Sequence, residues 1–424
     1  MKKLQRKEVK REEAAPTFPV VKQRLEEKEQ ALRHEIEQFL EVLQVLGTPM
    51  IEEPAVHFVY YNPTAQSVAV SGEFNQWTST SMTSLGQTGI FYHTTEFRGP
   101  ARVEYKLIVD GQWIVDPFCQ NRVDNGIGEQ NSFFVAGDFQ EPPELEWAAK
   151  IPHGRVEELD FNSKLLNNQR RVYVYLPPEH TKPSPQRFAT FYIHDGGEYL
   201  SRARLPTVLD NLRHSQDIPP LIAVMVDPVD RMGEYHTNEH YAQFMEKELI
   251  PYIDRHYRTR AERGARGVMG ASLGGLISTY LALSRPHLFS KVAGQSSALF
   301  LEQDKIATLV NGLTANTSFY FDVGVYEPQF IPAHHQLVPL LQAKGCPCLF
   351  QELEGGHNWT NWRAHLKDLL TFLWGQEKAE GAKRPPVLQK AKPPQKKQLG
   401  KRRQSANSGT LSRHEARGTR VNTQ

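Results

Sequence analysis

Residues 267–278 read GVMGASLGGLIS, with Ser272 at the centre and a glycine two residues away on either side. Alone, Gly-x-Ser-x-Gly is a weak signal, because chance produces it in about one chain in ten of this length. The flanks carry the weight. Residues 266–269 (RGVM) read as a short apolar strand and residues 274–284 (GGLISTYLALS) as a helix, so Ser272 falls on a sharp strand-to-helix turn. Such a turn strains the serine backbone and requires small neighbours, which Gly270 and Gly274 supply. The helix that follows favours negative charge at its start. Ser272 therefore reads as a nucleophile ahead of a plain structural turn.

A serine hydroxyl attacks poorly at neutral pH unless a base takes its proton and an acid holds that base. On strand–turn–helix elbows the chain order is serine, acid, histidine. His357, in LEGGHNWTNW, lies on a glycine-rich loop between the last apolar strand and the last helix. The other histidines fit less well: His194 precedes the serine, and His334 and His335 begin a helix. The acid belongs near SFYFDVGVYEPQF, where two carboxylates compete. Catalytic acids sit on the loop past the strand end, which favours Glu327. Asp322, within the apolar run, is the alternative, with a buried structural role as its other reading. An oxyanion needs fixed N–H donors. The amide of Leu273 follows the nucleophile, and Gly197 in HDGGEYL leaves backbone free to approach a substrate.

Around the elbow, apolar strands (RRVYVYLP, FATFYIHD, LIAVMVD, KVAGQSS, FYFDVG, CLFQELEG) alternate with helical segments such as HYAQFMEKELIPYIDRHY and NWRAHLKDLLTFLW. That alternation predicts an α/β domain with a doubly wound, mainly parallel sheet covered on both faces. Upstream the texture changes to short strands with turn residues between them (AVHFVYY, SVAVSGEF, IFYHTTEF, VEYKLIVDG, NSFFVAG), as in a small immunoglobulin-like β-sandwich. Before it, Leu25, Leu32, Ile36, Phe39, Leu43 and Leu46 recur at helical spacing until Gly47-Thr48-Pro49 stops them. The helix reads as packed on its own protein, with a homodimeric coil as the alternative. The chain thus divides into a charged amino-terminal segment with an amphipathic helix (1–50), a sandwich (51–140), an α/β domain (145–378) and a basic tail expected to be disordered (379–424).

The net charge of +2 conceals an asymmetry. Residues 378–424 hold thirteen Lys and Arg against two acids, which leaves the remainder at about −9. A mildly acidic folded part offers no nucleic-acid surface, and the tail lacks the aromatic residues that interleave such sites. Three cysteines, two of them in the cramped Cys346-Pro347-Cys348, suggest reduced thiols and neither a disulfide nor a zinc site. No metal or cofactor is expected. The start lacks the apolar run of a secretory signal and no stretch has the length of a membrane span, so a soluble cytoplasmic protein without membrane partners is expected.

With these residues placed, the segment from about 159 to 374 resembles the enterochelin-esterase and esterase-D branch of the α/β-hydrolases. The likeness runs through VYLPPEH, HDGGEYL, VLDNL, IPPLIAVMVDPVDRMGEY, MEKELIPYIDRHY, GASLGGL, RPHLFSKVAGQSS, DVGVYEP and EGGHNW. It implies a serine esterase that cleaves a small-molecule carboxylic ester or lactone, such as a siderophore trilactone, through an acyl-enzyme. Ser272, His357 and Glu327 would be nucleophile, base and acid. Arg231 and Glu234 of RMGEY would line the pocket or form a surface ion pair. The preceding domain resembles the glycogen-binding early-set modules of starch-branching enzymes and of the AMP-activated kinase regulatory subunit, through VAVSGEFNQW, EYKLIVDGQWIVDP and NSFFV. That likeness would make Trp77 and Trp113 a sugar platform, with Lys106 and Asn131 bonding hydroxyls. Siderophore esterases also carry an amino-terminal sandwich that covers the active site, and this lid or scaffold role is the favoured reading. The alternatives are a carbohydrate esterase that receives a glucan-bound acyl group and, in another class, a non-catalytic glycan-binding scaffold.

Overall fold

A computed structural model describes residues 18–97, 99–126, 128–313 and 316–375. The tail expected from residue 379 and the first residues of the charged segment lie outside the described residues. The expected amphipathic helix spans Phe18–Leu46 and stops at Gly47, whose φ of +76° ends the ladder while its N–H closes on Leu43 at 2.8 Å. Its apolar stripe is only partly used. Ile36, Phe39, Leu40 and the fully buried Leu43 pack on Val59 and Ile90, whereas Leu32 and Leu46 face solvent. The support that Val59 and Ile90 provide meets the helix between Ile36 and Leu43, and Leu32 and Leu46 lie beyond it on either side.

The next residues form two packed sheets. One contains β1 (Met50–Glu52), β2 (Ala55–Tyr61), β5 (Thr83–Ser84) and β6 (Ile90–Glu96) in the order β1-β2-β6-β5. The other contains β3 (Val68–Gly72), β4 (Thr80–Ser81), β7 (Ala101–Val109), β8 (Gln112–Ile114), β9 (Arg122–Asp124) and β10 (Gln130–Ala136). Its order is β4-β3-β7-β10-β9, with β8 on β7. Alternate residues of β7, Val103, Tyr105 and Leu107, fill the interior with Phe58, Val70 and Phe134. The residues between them, Arg102, Glu104 and Lys106, therefore share the opposite face.

The second body is built on one eight-stranded sheet: β11 (Arg155–Ser163), β12 (Asn168–Leu176), β13 (Ala189–His194), β14 (Leu221–Val226), β15 (Arg266–Ala271), β16 (Lys291–Gln295), β17 (Ser318–Gly324) and β18 (Cys348–Leu353). The order is β11-β12-β14-β13-β15-β16-β17-β18, antiparallel across its first two pairings and parallel from β14 onward. Apolar layers cover both faces. Leu249, Ile277, Leu281 and Leu337 belong to one, and Leu205, Leu209, Leu369 and Leu373 to the other. Two features were not read from the sequence. β11 is an edge strand whose residues, RVEELDFNS, are mostly polar and show no apolar run. The helical segment from Glu239 to His256 widens into a π turn at Met245–Leu249 ahead of Pro251, which has no N–H to continue an α ladder. No described helix is long and apolar enough to cross a membrane.

Candidate active site

Ser272 stands between β15 and the helix Leu273–Ser284, with φ +57° and ψ −118°. A non-glycine residue holds that conformation only when its surroundings enforce it. Here the Ser272 N–H is tied to the Gln295 carbonyl at 2.8 Å, and its own carbonyl accepts from Gly275 and Leu276 at 3.1 Å. The spacing of the glycines has a direct steric cause. A Cβ on Gly270 would lie 2.4 Å from the Gly274 carbonyl carbon, so the turn closes only without side chains there.

The Ser272 hydroxyl donates to His357 Nε2 at 3.0 Å, and His357 Nδ1 lies 2.5 Å from Glu327 Oε2. Glu327 is 2 % exposed. Its other oxygen accepts from the Gly324 N–H at 2.8 Å and the Ser296 hydroxyl at 2.5 Å. The Trp362 indole donates to Ser296 at 2.9 Å. Phe330 stacks on the His357 ring at 4.6 Å, and Trp362 meets it edge-on at 5.0 Å. The imidazole plane is thus set by two aromatic neighbours and a carboxylate, which leaves Nε2 aimed at the serine. Asp322 sits elsewhere, buried and accepting from Gln295 at 3.1 Å. Burial pushes its carboxyl up to about 7.

Three expectations need correction or refinement. The Gly197 N–H, expected to face an oxyanion, instead donates to Asp227 Oδ1 at 2.6 Å. Asp227 also accepts from the Tyr173 hydroxyl at 3.4 Å, and burial raises its carboxyl above the usual range. Leu273 begins the elbow helix, where N–H groups have no partner in the helical ladder. Arg231 and Glu234 do not act as a pair. Arg231 clamps Asp195 with bonds of 2.8 and 2.9 Å and reaches the Ala271 carbonyl, next to the serine, at 3.4 Å. Glu234, expected at the pocket, turns inward and takes two 2.8 Å bonds from the fully buried Arg170. A carboxylate on a short helix against the core satisfies that arginine, and no surface position could.

The four sandwich residues divide. Trp77 and Trp113 are exposed, at 37 % and 50 %. Lys106 is buried in an ion pair with Glu129, and Asn131 is buried with its amide on Glu104 at 2.8 Å, so both are committed within the protein. Their sheet face is turned toward the α/β body: Arg102 donates to Thr360 at 2.8 Å and also pairs with Glu141. Among the described residues no cluster of His, Cys, Asp and Glu could hold a metal ion. Ser296, Phe330, Trp362 and Asp195 were not singled out from the sequence. A serine, a tryptophan or an aspartate carries no local mark of the neighbour it supports.

Residues 163–373 match the family model described as a putative esterase, and residues 55–139 match that of the glycogen recognition site of AMP-activated protein kinase. The iron(III) enterobactin esterase of Escherichia coli (strain K12) is 26% identical over 254 residues, which are 55% of this chain and 61% of that protein. The endo-1,4-beta-xylanase/feruloyl esterase of Xylanibacter ruminicola is 25% identical over 344 residues, 77% of this chain and 46% of that protein. The chain therefore spans about half to three fifths of these relatives. The crystal structure of the enterobactin esterase from Shigella flexneri in the presence of enterobactin aligns with a TM-score of 0.63. Its identity is 21%, over 76% of this chain and 92% of that one. At that identity the likeness speaks for the fold, an α/β-hydrolase body behind a sandwich.

Proposed function

We propose that this chain, whose residues 163–373 match the putative esterase family model, hydrolyses a small carboxylic ester or lactone of the siderophore type through a Ser272 acyl-enzyme. One observation carries this reading: the unbroken path from Ser272 Oγ through His357 to Glu327, at 3.0 and 2.5 Å. Ser272 Oγ attacks the carbonyl carbon while His357 Nε2 takes its proton. Glu327 holds the imidazole in the required orientation and stabilises its charged form. The tetrahedral oxyanion receives the Leu273 N–H. The Gly197 N–H joins it only when Asp227 moves aside or is displaced. Collapse breaks the ester C–O bond, and His357 returns the proton to the leaving oxygen. Water then attacks the acyl-enzyme with His357 again as base, releasing the acid and restoring Ser272. The free, buried thiols of Cys119, Cys346 and Cys348 suit a reducing compartment, consistent with a cytoplasmic enzyme.

A second reading, a carbohydrate esterase, draws support from the exposed Trp77 and Trp113 and from the relative that joins xylanase and feruloyl esterase. A panel of aryl esters, a catechol trilactone and feruloylated or acetylated sugars separates the two. We expect the trilactone to be cleaved fastest and Ser272→Ala to lose roughly 10⁶-fold in kcat. Activity that survives in purified Ser272→Ala would remove the serine from the reaction. A clear preference for acylated sugars would promote the second reading.

A further inference from the structure

The loop that presents His357 is held by a residue from the other body. Glu73 opens the turn Glu73–Asn75 of the sandwich and is 3 % exposed. One carboxylate oxygen accepts the backbone N–H of Glu104 at 2.9 Å, which fixes it to β7. The other accepts the side-chain amide of Asn358, the residue after His357, at 2.5 Å. Asn358 in turn caps the following helix, its Oδ1 accepting the Asn361 N–H at 2.9 Å. Asn361 closes the ring by donating to the Gly356 carbonyl at 2.9 Å. The approach at Gly356, on the near side of His357, is equally tight. A Cβ there would lie 2.0 Å from Glu73 Oε1, so the glycine admits the carboxylate. Behind the same loop is open space, a cavity of about 360 Å³ lined by Arg102, Asp138, Glu354, Asn361 and His365. The ring contacts of His357 fix its plane, and Glu73 ties the residue after it to β7 of the sandwich.

We infer that Glu73 is a positioning residue for ester hydrolysis, holding the Gly356–Asn358 backbone so that His357 Nε2 stays within reach of Ser272. The inference rests on the acyl-enzyme reading of Ser272. It also gives the sandwich a part in the reaction that needs no glycan.

The experiment reads serine reactivity without a known substrate. The full-length protein is reacted with a fluorophosphonate probe, and the rate of covalent labelling at Ser272 is measured alongside melting temperature. We expect Glu73→Ala to slow labelling at least tenfold in protein that is still folded. Hydrolysis of an aryl ester by the labelled-site titre should lose kcat with KM changed little. Glu73→Gln keeps the shape but sets an amide N–H against the Glu104 N–H, and it should lose an intermediate amount. It carries the test if the alanine variant does not fold. The double variant Glu73→Ala/Asn358→Ala should be no slower than the worse single variant. Labelling within twofold of wild type in a folded Glu73 variant, or losses that multiply in the double variant, would overturn the inference. Failure of the wild type itself to label at Ser272 would sink the hydrolase reading and this inference with it.

Discussion

Glu327 and Asp322 lie five positions apart and have opposite surroundings. Glu327 takes a hydroxyl, a backbone N–H and the His357 ring. Asp322 is buried beside Tyr320 and Gln295, and that burial holds its carboxyl near 7. Glu327→Gln should therefore lower kcat by roughly 10³–10⁴ with little change in KM. Asp322→Asn should leave turnover within a few-fold of wild type. If the asparagine variant is folded yet inactive, the two roles must be exchanged. Asp322 also makes a pH prediction. Its folded pKa of about 7 lies above the ordinary aspartate value of 3.8, so the folded state binds the extra proton between these values. Its contribution to stability is complete below pH about 4 and is lost as pH rises through 7. Urea midpoints measured from pH 4 to 8 should thus fall more steeply for the wild type than for Asp322→Asn. Parallel curves would show that Asp322 is not held protonated.

At the level of elements, what could be read from the sequence was whatever had a strong period or a strong steric demand. The helix Phe18–Leu46 and the strands around Ser272 announced themselves through apolar spacing, and the elbow through its glycines. β11 escaped notice because an edge strand needs few apolar residues. The helix also shows where periodicity misleads, since it marks a face without saying how much of that face finds support. Leu43→Ala should cost about 2–3 kcal/mol, because Leu43 is wholly buried against Val59 and Ile90. Leu46→Ala should cost no more than about 0.5 kcal/mol, because Leu46 is 71 % exposed. Chemical denaturation of both variants tests the packing, and equal losses would mean that Leu46 is covered in solution, as in a dimer. The candidate site was legible in its chain order but not in its second ring of neighbours. Ser272, His357 and Glu327 follow an order with a mechanical reason. The Asp227 carboxylate on Gly197 and the inward turn of Glu234 depend on which strands lie side by side.

For the whole molecule, the open question is what the sandwich does besides folding against the esterase body. Lys106 and Asn131 are occupied by Glu129 and Glu104, which leaves the exposed Trp77 and Trp113 with no hydroxyl partners among the four expected residues. The full-length protein should therefore migrate through a native gel unaffected by added glycogen. Retardation that disappears in Trp113→Ala would reverse this and favour an acylated sugar as substrate. The turn that carries Glu73 inward also carries Trp77 outward, the Trp77 N–H closing on Gly72 at 2.8 Å. One short turn therefore has the His357 loop on one side and an open aromatic ring on the other. A molecule on Trp77 whose binding shifts this turn would change the affinity of the cleft beside Ser272 for its own ligand. Thermodynamic reciprocity then requires that ligand to change the affinity at Trp77 by the same factor. The sandwich would report the occupancy of the active site as faithfully as it influences it.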